Sequence, residues 1–163
     1  MNPYLLELPF PPSLNDYYLN RKAKVKRGPS AGKVYMARMI SPEGLAFRGR
    51  VVQAVREGHR IPPRLSGRLA IVVLACPPSE KADGSVNNNR RDLDNLWKCL
   101  LDSLTHAEVM LDDALYDDNR IVRGNPQHPG KIWVSILPFD PDSAFAAVRA
   151  AGITAGAFTD LLA

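Results

Sequence analysis

Residues 69–75, LAIVVLA, form an uninterrupted apolar run that is rich in Val and Ile. Such a run is typical of a buried strand at the centre of a sheet. Pro77 and Pro78 follow it directly, and proline cannot donate to a sheet ladder, so the strand should end before them. The fold is therefore expected to be built around this strand.

The segments on either side predict the remaining elements. A short strand is expected at residues 4–8, before a cluster of prolines, and a helix should run from the capping signal Ser41-Pro42-Glu43 to about residue 60. A second helix is expected over residues 91–109, where apolar residues recur with the helical period. That apolar face comprises Leu93, Leu96, Trp97, Leu100 and Leu104.

Two further strands, residues 121–123 and 131–137, flank a turn at 125–130 and suggest an antiparallel hairpin. The order β, α, β, α, β, β predicts an α/β (α+β) fold, with helices packed on a single mixed sheet. We expect one domain over residues 1–140, followed by an Ala-rich tail, 141–163, for which a loosely attached helix is the expectation.

The composition narrows the class of protein. Cys76 and Cys99 lie in apolar surroundings, with no Cys or His at ligand spacing, so neither a zinc site nor a disulfide framework is indicated. The first 13 residues lack a basic start followed by a long apolar run, and no window approaches the length of a membrane span. A soluble cytoplasmic protein with no membrane partner is expected.

Charge is segregated along the chain. Residues 1–68 carry 13 Lys and Arg against four Asp and Glu, which favours a polyanionic partner or, equally, a solvated basic face. No regular period is visible from residue 13 to 40, so residues 19–40 are expected to form a basic loop that is mobile until an anion orders it. Its candidate DNA contacts are Arg21, Lys22, Lys24, Lys26, Arg27 and Lys33.

Eight carboxylates lie between residues 92 and 118, where Lys98 is the only Lys or Arg. Asp92 and Asp94 stand at the start of the second predicted helix, where one of them could simply cap it. Capping does not account for both, nor for Asp112 and Asp113 just after that helix. If the chain turns back there, the two groups of carboxylates can meet.

Carboxylates brought together repel one another unless a cation neutralises them, and oxygen ligands suit Mg²⁺, with Mn²⁺ as a substitute. Such an ion activates water and polarises a phosphate. Arg90 and Arg91 directly upstream would hold a DNA backbone beside it. Lys98 and Asp102 continue the face of Asp94 at four-residue spacing, which an ordinary ion-pair stripe on a helix would also explain.

RRDLDNLWKCLLDSLTHAEVMLDD, residues 90–113, resembles the signature of the RusA family of crossover-junction endodeoxyribonucleases, in which R-D-L-D-N-L-x-K precedes a distal D-D. LPFPPSLNDYY, residues 8–18, resembles the family's L-P-x-P-P-S-x-N opening, and SPEGLAFRGRV, residues 41–51, resembles its following helix start. The resemblance covers most of residues 4–137, whereas the long basic loop, the loop 79–89 and the tail depart from it.

The resemblance implies a homodimeric RusA-like nuclease domain over residues 1–140 that resolves Holliday junctions by paired symmetric cuts, and a phage or prophage origin. A two-fold dimer would supply the two equivalent sites. By the same resemblance the metal-binding catalytic residues would be Asp92, Asp94 and Asp113, with Lys98 as the essential lysine and Asp112 as a weaker candidate. Asn15 and Asn95 match family positions that would orient the site or its DNA.

Three alternatives stay open on sequence grounds. The chain could be a nuclease of flaps or single strands, a DNA-binding protein without catalysis, or a small cation-binding domain whose basic loop is incidental. Cleavage of matched branched and linear DNA separates the first from a resolvase. An Asp94→Asn variant with unchanged activity would favour the second, and failure to bind any junction at low salt would favour the third.

Overall fold

The computed structural model describes residues 3–58, 64–81, 83–87 and 92–151. The strands are β1 Tyr4–Pro9, β2 Tyr18–Lys24, β3 Val34–Ile40, β4 Leu69–Cys76, β5 Tyr116–Arg123 and β6 Lys131–Pro138. The helices are α1 Leu14–Tyr17, α2 Pro42–Gly58, α3 Asp94–His106 and α4 Pro141–Ala150, and a short 3₁₀ turn covers Asp113–Leu115. None of the helices in these ranges is long and apolar enough to cross a membrane.

Four strands form one mixed sheet in the order β1-β6-β4-β5. Strand β4 is central, parallel to β5 and antiparallel to β6, and β6 pairs antiparallel with β1. The core on the inner face combines Ile71 and Val73 of β4 with Phe47 of α2 and Leu100 and Leu104 of α3, all fully buried. The mixed α+β architecture predicted from the order of elements is confirmed.

Strands β5 and β6 do not form the predicted hairpin, because β4 lies between them. The seven residues from 124 to 130 cross the end of β4, and Gly124 N–H donates to the Ala75 carbonyl at 2.8 Å. A Cβ atom at Gly124 would lie 2.4 Å from Cys76 Sγ, so only glycine fits this close crossing. Two strand spacings amount to only about 10 Å, which seven residues easily span.

The central strand β4 is completely buried on its inner face and partly exposed on the other. Val72 and Leu74 of β4 point to the other side of the sheet and are 37% and 42% exposed. Leu74 lies beside Val122 of β5 and Trp133 of β6 in the strand register. We call the surface formed by Leu5, Val72, Leu74, Val122 and Trp133 the outer sheet face. The prediction of a buried central strand is therefore confirmed for six of its eight side chains and wrong for Val72 and Leu74.

Residues 19–40 are not the predicted mobile loop. Strands β2 and β3 form an antiparallel hairpin, here called the basic hairpin, whose register runs from Tyr18 opposite Ile40 to Lys24 opposite Val34. Most of its side chains on both faces are exposed. Tyr18 at its base packs against the core, but because most of the other side chains are exposed, neither face is selected to be apolar along its length, and the alternation that signals a strand is absent from the sequence.

Candidate active site

Helix α3 carries the first candidate carboxylates at its start. Asp94 is its first residue, Asp92 precedes it by two positions, and both side chains are exposed. The N-cap position belongs to Leu93, which makes no side-chain cap bond. Capping therefore accounts for neither carboxylate.

The second pair lies at the 3₁₀ turn that follows α3. Asp112 caps this turn, since its Oδ1 accepts from the Ala114 N–H at 2.9 Å. That backbone hydrogen bond lowers the pKa of Asp112 and keeps its carboxyl group ionised. Asp113 begins the turn and its side chain is 38% exposed. The turn thus presents two adjacent carboxylates, one of which is held in place.

Lys98 connects the helix to the turn. Its Nζ lies 2.9 Å from Asp102 Oδ1 on α3 and 3.4 Å from Asp113 Oδ2. The hydrogen bond to Asp102, reinforced by the charges of Asp102 and Asp113, raises the pKa of Lys98. Lys98 is therefore a permanent cation near neutral pH and cannot act as a base there.

Asp102 is surrounded by donors that sequence reasoning did not assign to the site. Tyr18 donates its hydroxyl proton to Asp102 Oδ2, and Arg48 Nη2 lies 3.7 Å from the same oxygen. Burial, followed by this hydrogen bond, raises the pKa of Tyr18 to about 12. The spacing of Lys98 and Asp102 was visible in the sequence, but no local signal connects either residue with Tyr18 or Arg48.

These side chains line one open cleft. Its walls include Arg48, Lys98, Asp102, Asp112 and Asp113. Lys98 and Asp113, both candidate site residues, thus lie in the same cleft. Asp94 lies one helical turn before Lys98 and Asp92 precedes the helix, but neither lines this cleft, so the structure does not by itself place them against Asp113.

The candidate DNA contacts are placed only in part. Arg90 and Arg91 lie outside the described residues. Asn15 is exposed on α1 and Asn95 is half-buried on α3. The basic residues predicted for the loop 19–40 are carried by the basic hairpin and its connecting segment 25–33, where all of them are exposed: Arg21, Lys22, Lys24, Lys26, Arg27 and Lys33.

The donor chemistry suits a hard divalent cation. Every candidate ligand is a carboxylate, and the capping bond of Asp112 fixes one of them in its ionised form. Within the described ranges, no three acidic, His or Cys side chains already converge as a metal-binding group. The residues therefore fit Mg²⁺ in donor type, and the mutual repulsion of carboxylates favours their separation until a cation joins them.

Comparison with known proteins places this arrangement in a family. A family model described as Endodeoxyribonuclease RusA matches residues 10–136. The chain is 37% identical over 140 residues to the "Crossover junction endodeoxyribonuclease rusA" of Enterobacteria phage HK97, covering 86% of this chain and 98% of the relative. It is 31% identical to the protein of that name from Enterobacteria phage 82 and 30% identical to that of Escherichia coli strain K12.

Both of the latter alignments span 137 residues, 83% of this chain and 95% of the relative. The matched region contains α3, the 3₁₀ turn and most of the sheet, and therefore every described residue of the cleft. The chain belongs to the RusA family of endodeoxyribonucleases.

Proposed function

We propose that this chain is a Mg²⁺-dependent endonuclease that resolves four-way DNA junctions by paired symmetric cuts. The observation that carries the proposal is Lys98, which joins α3 to the 3₁₀ turn through Asp102 and Asp113 and so gathers a cation and carboxylates in one cleft. The relatives are named crossover junction endodeoxyribonucleases, and two of them are phage proteins, which supports a phage or prophage origin. A DNA substrate in a bacterial host implies action in the cytoplasm.

Each residue has a distinct task in the proposed reaction. Asp92, Asp94 and Asp113 hold Mg²⁺, with Asp112 beside them in a fixed, ionised form. The bound ion supplies an activated water and stabilises charge on the phosphate. The Lys98 ammonium binds the scissile phosphate, and its raised pKa keeps that cation present throughout the neutral range. Arg90 and Arg91 hold the adjoining backbone by charge-assisted hydrogen bonds.

The decisive experiment uses a labelled four-way junction with Mg²⁺, beside a linear duplex, a flap and a single strand of the same sequence. Symmetric nicks in opposite strands of the junction alone are expected. Comparable cutting of flaps or single strands would favour the less selective nuclease. Tight junction binding without cleavage in Mg²⁺ or Mn²⁺ would leave a structure-selective DNA-binding protein.

The basic hairpin is proposed to grip a duplex arm of the junction. Side chains alternate along a strand, so Lys22 and Lys24 share a face with Tyr18, whose hydroxyl contacts Asp102 in the cleft. Arg38 lies on that same face, with its guanidinium 4.0 Å from the centre of the Tyr18 ring. Six residues of extended strand give this basic face a length of about 20 Å, enough to follow several phosphates away from the site.

Removing two charges from this face tests the assignment. The double variant Lys22→Ala/Lys24→Ala should make the slope of log Kd against log salt shallower by about two, because each phosphate contact contributes about 0.9. Fluorescence anisotropy over a salt series measures the slope. Arg64→Ala/Arg68→Ala removes the same charge away from the hairpin and should leave the slope near the wild-type value. An equal effect of both variants would show that net charge alone matters.

A homodimer is proposed because paired cuts need two equivalent sites. The outer sheet face supports this proposal, since Leu5, Val72, Leu74 and Val122 expose between 37% and 56% of their surface. In the strand register Leu74 lies between Val122 and Trp133, and Ser135 lies between Leu5 and Val72. Contiguous exposed apolar surface is uncommon on monomers and typical of interfaces. A two-fold axis would pack this face against its own copy.

A charge in the centre of that face should break the dimer. Leu74→Glu would bury an unpaired carboxylate at the interface, at a cost of several kcal/mol, and so should convert the dimer to monomer at micromolar concentration. Light scattering after gel filtration gives the mass. Leu45→Glu, at an exposed leucine of α2, is the control and should stay dimeric. A wild type that is already monomeric, or a dimeric Leu74→Glu, would rule out this interface.

A further inference from the structure

The Lys98 ammonium has two carboxylate partners of different character. Asp102 is nearer, at 2.9 Å, and its side chain is only 16% exposed. Asp113 is farther away, at 3.4 Å, and 38% exposed. Lys98 itself is 52% exposed, so the firmer of its two contacts is with the more buried group.

Asp102 is in turn fixed by its own neighbours. Its second oxygen accepts from the Tyr18 hydroxyl and lies 3.7 Å from Arg48 Nη2. Arg48 is itself held, because its Nε donates to the hydroxyl of Tyr17 at 2.6 Å, and Tyr17 is completely buried. The contacts therefore continue from the core through Arg48 and Asp102 to the exposed ammonium of Lys98.

These contacts distinguish Asp102 from the carboxylates that are proposed to bind the metal. A carboxylate has about four acceptor positions, and three cationic or hydroxyl donors already surround Asp102. An exposed i,i+4 ion pair is normally loose, but here Asp102 is also held by two groups outside the pair, Tyr18 and Arg48. Asp102 is thus equipped to orient a lysine.

We propose that Asp102 is a positioning residue that holds the Lys98 ammonium towards Asp113 and the scissile phosphate. Through Tyr18, the first residue of β2, it also ties that ammonium to the base of the basic hairpin. The position of the Lys98 ammonium is thereby fixed relative to DNA that is held along the hairpin. The inference rests on the nuclease function proposed above.

Asp102→Asn keeps the shape of the side chain and removes its charge. Cleavage of a bound junction should slow about tenfold under single-turnover conditions, as expected when a reacting group loses its orientation. The Kd for the junction without metal should stay within about twofold of the wild-type value, because no phosphate contact is removed. Tyr18→Phe removes the hydroxyl that donates to Asp102 and should slow cleavage by a smaller factor. Asp117→Asn, an exposed carboxylate of β5 paired with Arg68, should cleave at the wild-type rate.

A double-mutant cycle distinguishes positioning from a merely structural role. If Asp102 acts through Lys98, adding Asp102→Asn to a Lys98→Ala protein should not lower the cleavage rate further. The slow cleavage by these variants is followed over hours with enzyme in excess. A structural role would instead multiply the two losses and lower Tm and binding together. Wild-type cleavage by Asp102→Asn, or multiplied losses in the cycle, would overturn the proposal.

A second readout does not need cleavage. The nuclear magnetic resonance signal of the Lys98 ammonium should be visible in the wild type and in Asp117→Asn, because a carboxylate hydrogen bond slows proton exchange with water, and should be lost in Asp102→Asn. If the wild type cuts no DNA but its Lys98 signal still depends on Asp102, the nuclease function is refuted and the positioning of Lys98 by Asp102 is supported. An unchanged signal in Asp102→Asn would refute the positioning whatever the activity.

Discussion

Asp94→Asn should reduce junction cleavage by about 1000-fold, because weaker metal binding forfeits several kcal/mol of charge stabilisation and each 1.4 kcal/mol is worth a factor of ten. Asp94 is exposed and caps nothing, so its loss should not unfold α3. Junction binding without metal should be unchanged or slightly tighter, since one negative charge is removed near the DNA. Gel-based single-turnover cleavage and anisotropy measure the two quantities.

Two controls make the Asp94→Asn result specific. Asp117→Asn makes the same chemical change outside the cleft and should keep wild-type cleavage. Raising the concentration of Mg²⁺ or Mn²⁺ should restore part of the Asp94→Asn activity if the residue is a ligand. Undiminished cleavage by Asp94→Asn would exclude it from the metal site and favour a DNA-binding role for the acidic segment.

Lys98→Ala is expected to lower the single-turnover rate by about 100- to 1000-fold, the usual cost of removing one fixed donor that faces developing charge. Because the pKa of Lys98 is raised, its positive charge persists from acid to neutral pH and is lost only above its ordinary range. The rate should therefore show no fall between pH 7 and 9 caused by this residue. A pH–rate profile of the wild type measures this.

Lys98→Arg and Lys81→Ala are the matched variants for this prediction. Arginine keeps the charge but presents a planar fork in place of a compact ammonium, so only partial activity should return. Lys81 is an exposed lysine of the loop after β4, and its loss should leave the rate unchanged. If Lys98→Ala cleaves at the wild-type rate, Lys98 has no role in catalysis and its contacts with Asp102 and Asp113 are ordinary surface ion pairs.

The sequence predicted those elements that have one face packed on the core. Strand β4 was recognisable from its uninterrupted apolar run, and helix α3 from the helical period of residues such as Leu100 and Leu104, which are buried in the core. The basic hairpin contacts the core through Tyr18 but exposes most of its side chains on both faces, so its sequence carries no alternation that would separate it from a loop. The β5–β6 pairing was wrong because strand order depends on how a long-range neighbour, β4, is accommodated.

The site shows the same division. Its acidic residues were recognisable because carboxylates at short spacing around one lysine are unusual, and the structure places two of the candidates, Lys98 and Asp113, 3.4 Å apart. Arg48 and Tyr18 were missed because their approach to Asp102 spans 54 and 84 residues of sequence and leaves no local pattern. The roles of Asp92 and Asp94 stay predictions, since they lie outside the cleft formed by the described residues.

The position of β4 between β5 and β6 also has a consequence for folding. Leu69 pairs with Tyr116 on one side and with Pro138 on the other, and Tyr4 pairs with Ile136, so all three ladders of the sheet join distant parts of the chain. Closing such long loops costs entropy before any contact compensates for it, and this slows folding. The cleft residues of α3 and the 3₁₀ turn lie within the β4–β5 connection. Strand β6, which pairs with β1, is the last strand in the chain. The sheet that supports the cleft is therefore complete only when β6, the last strand in the chain, has entered between β1 and β4.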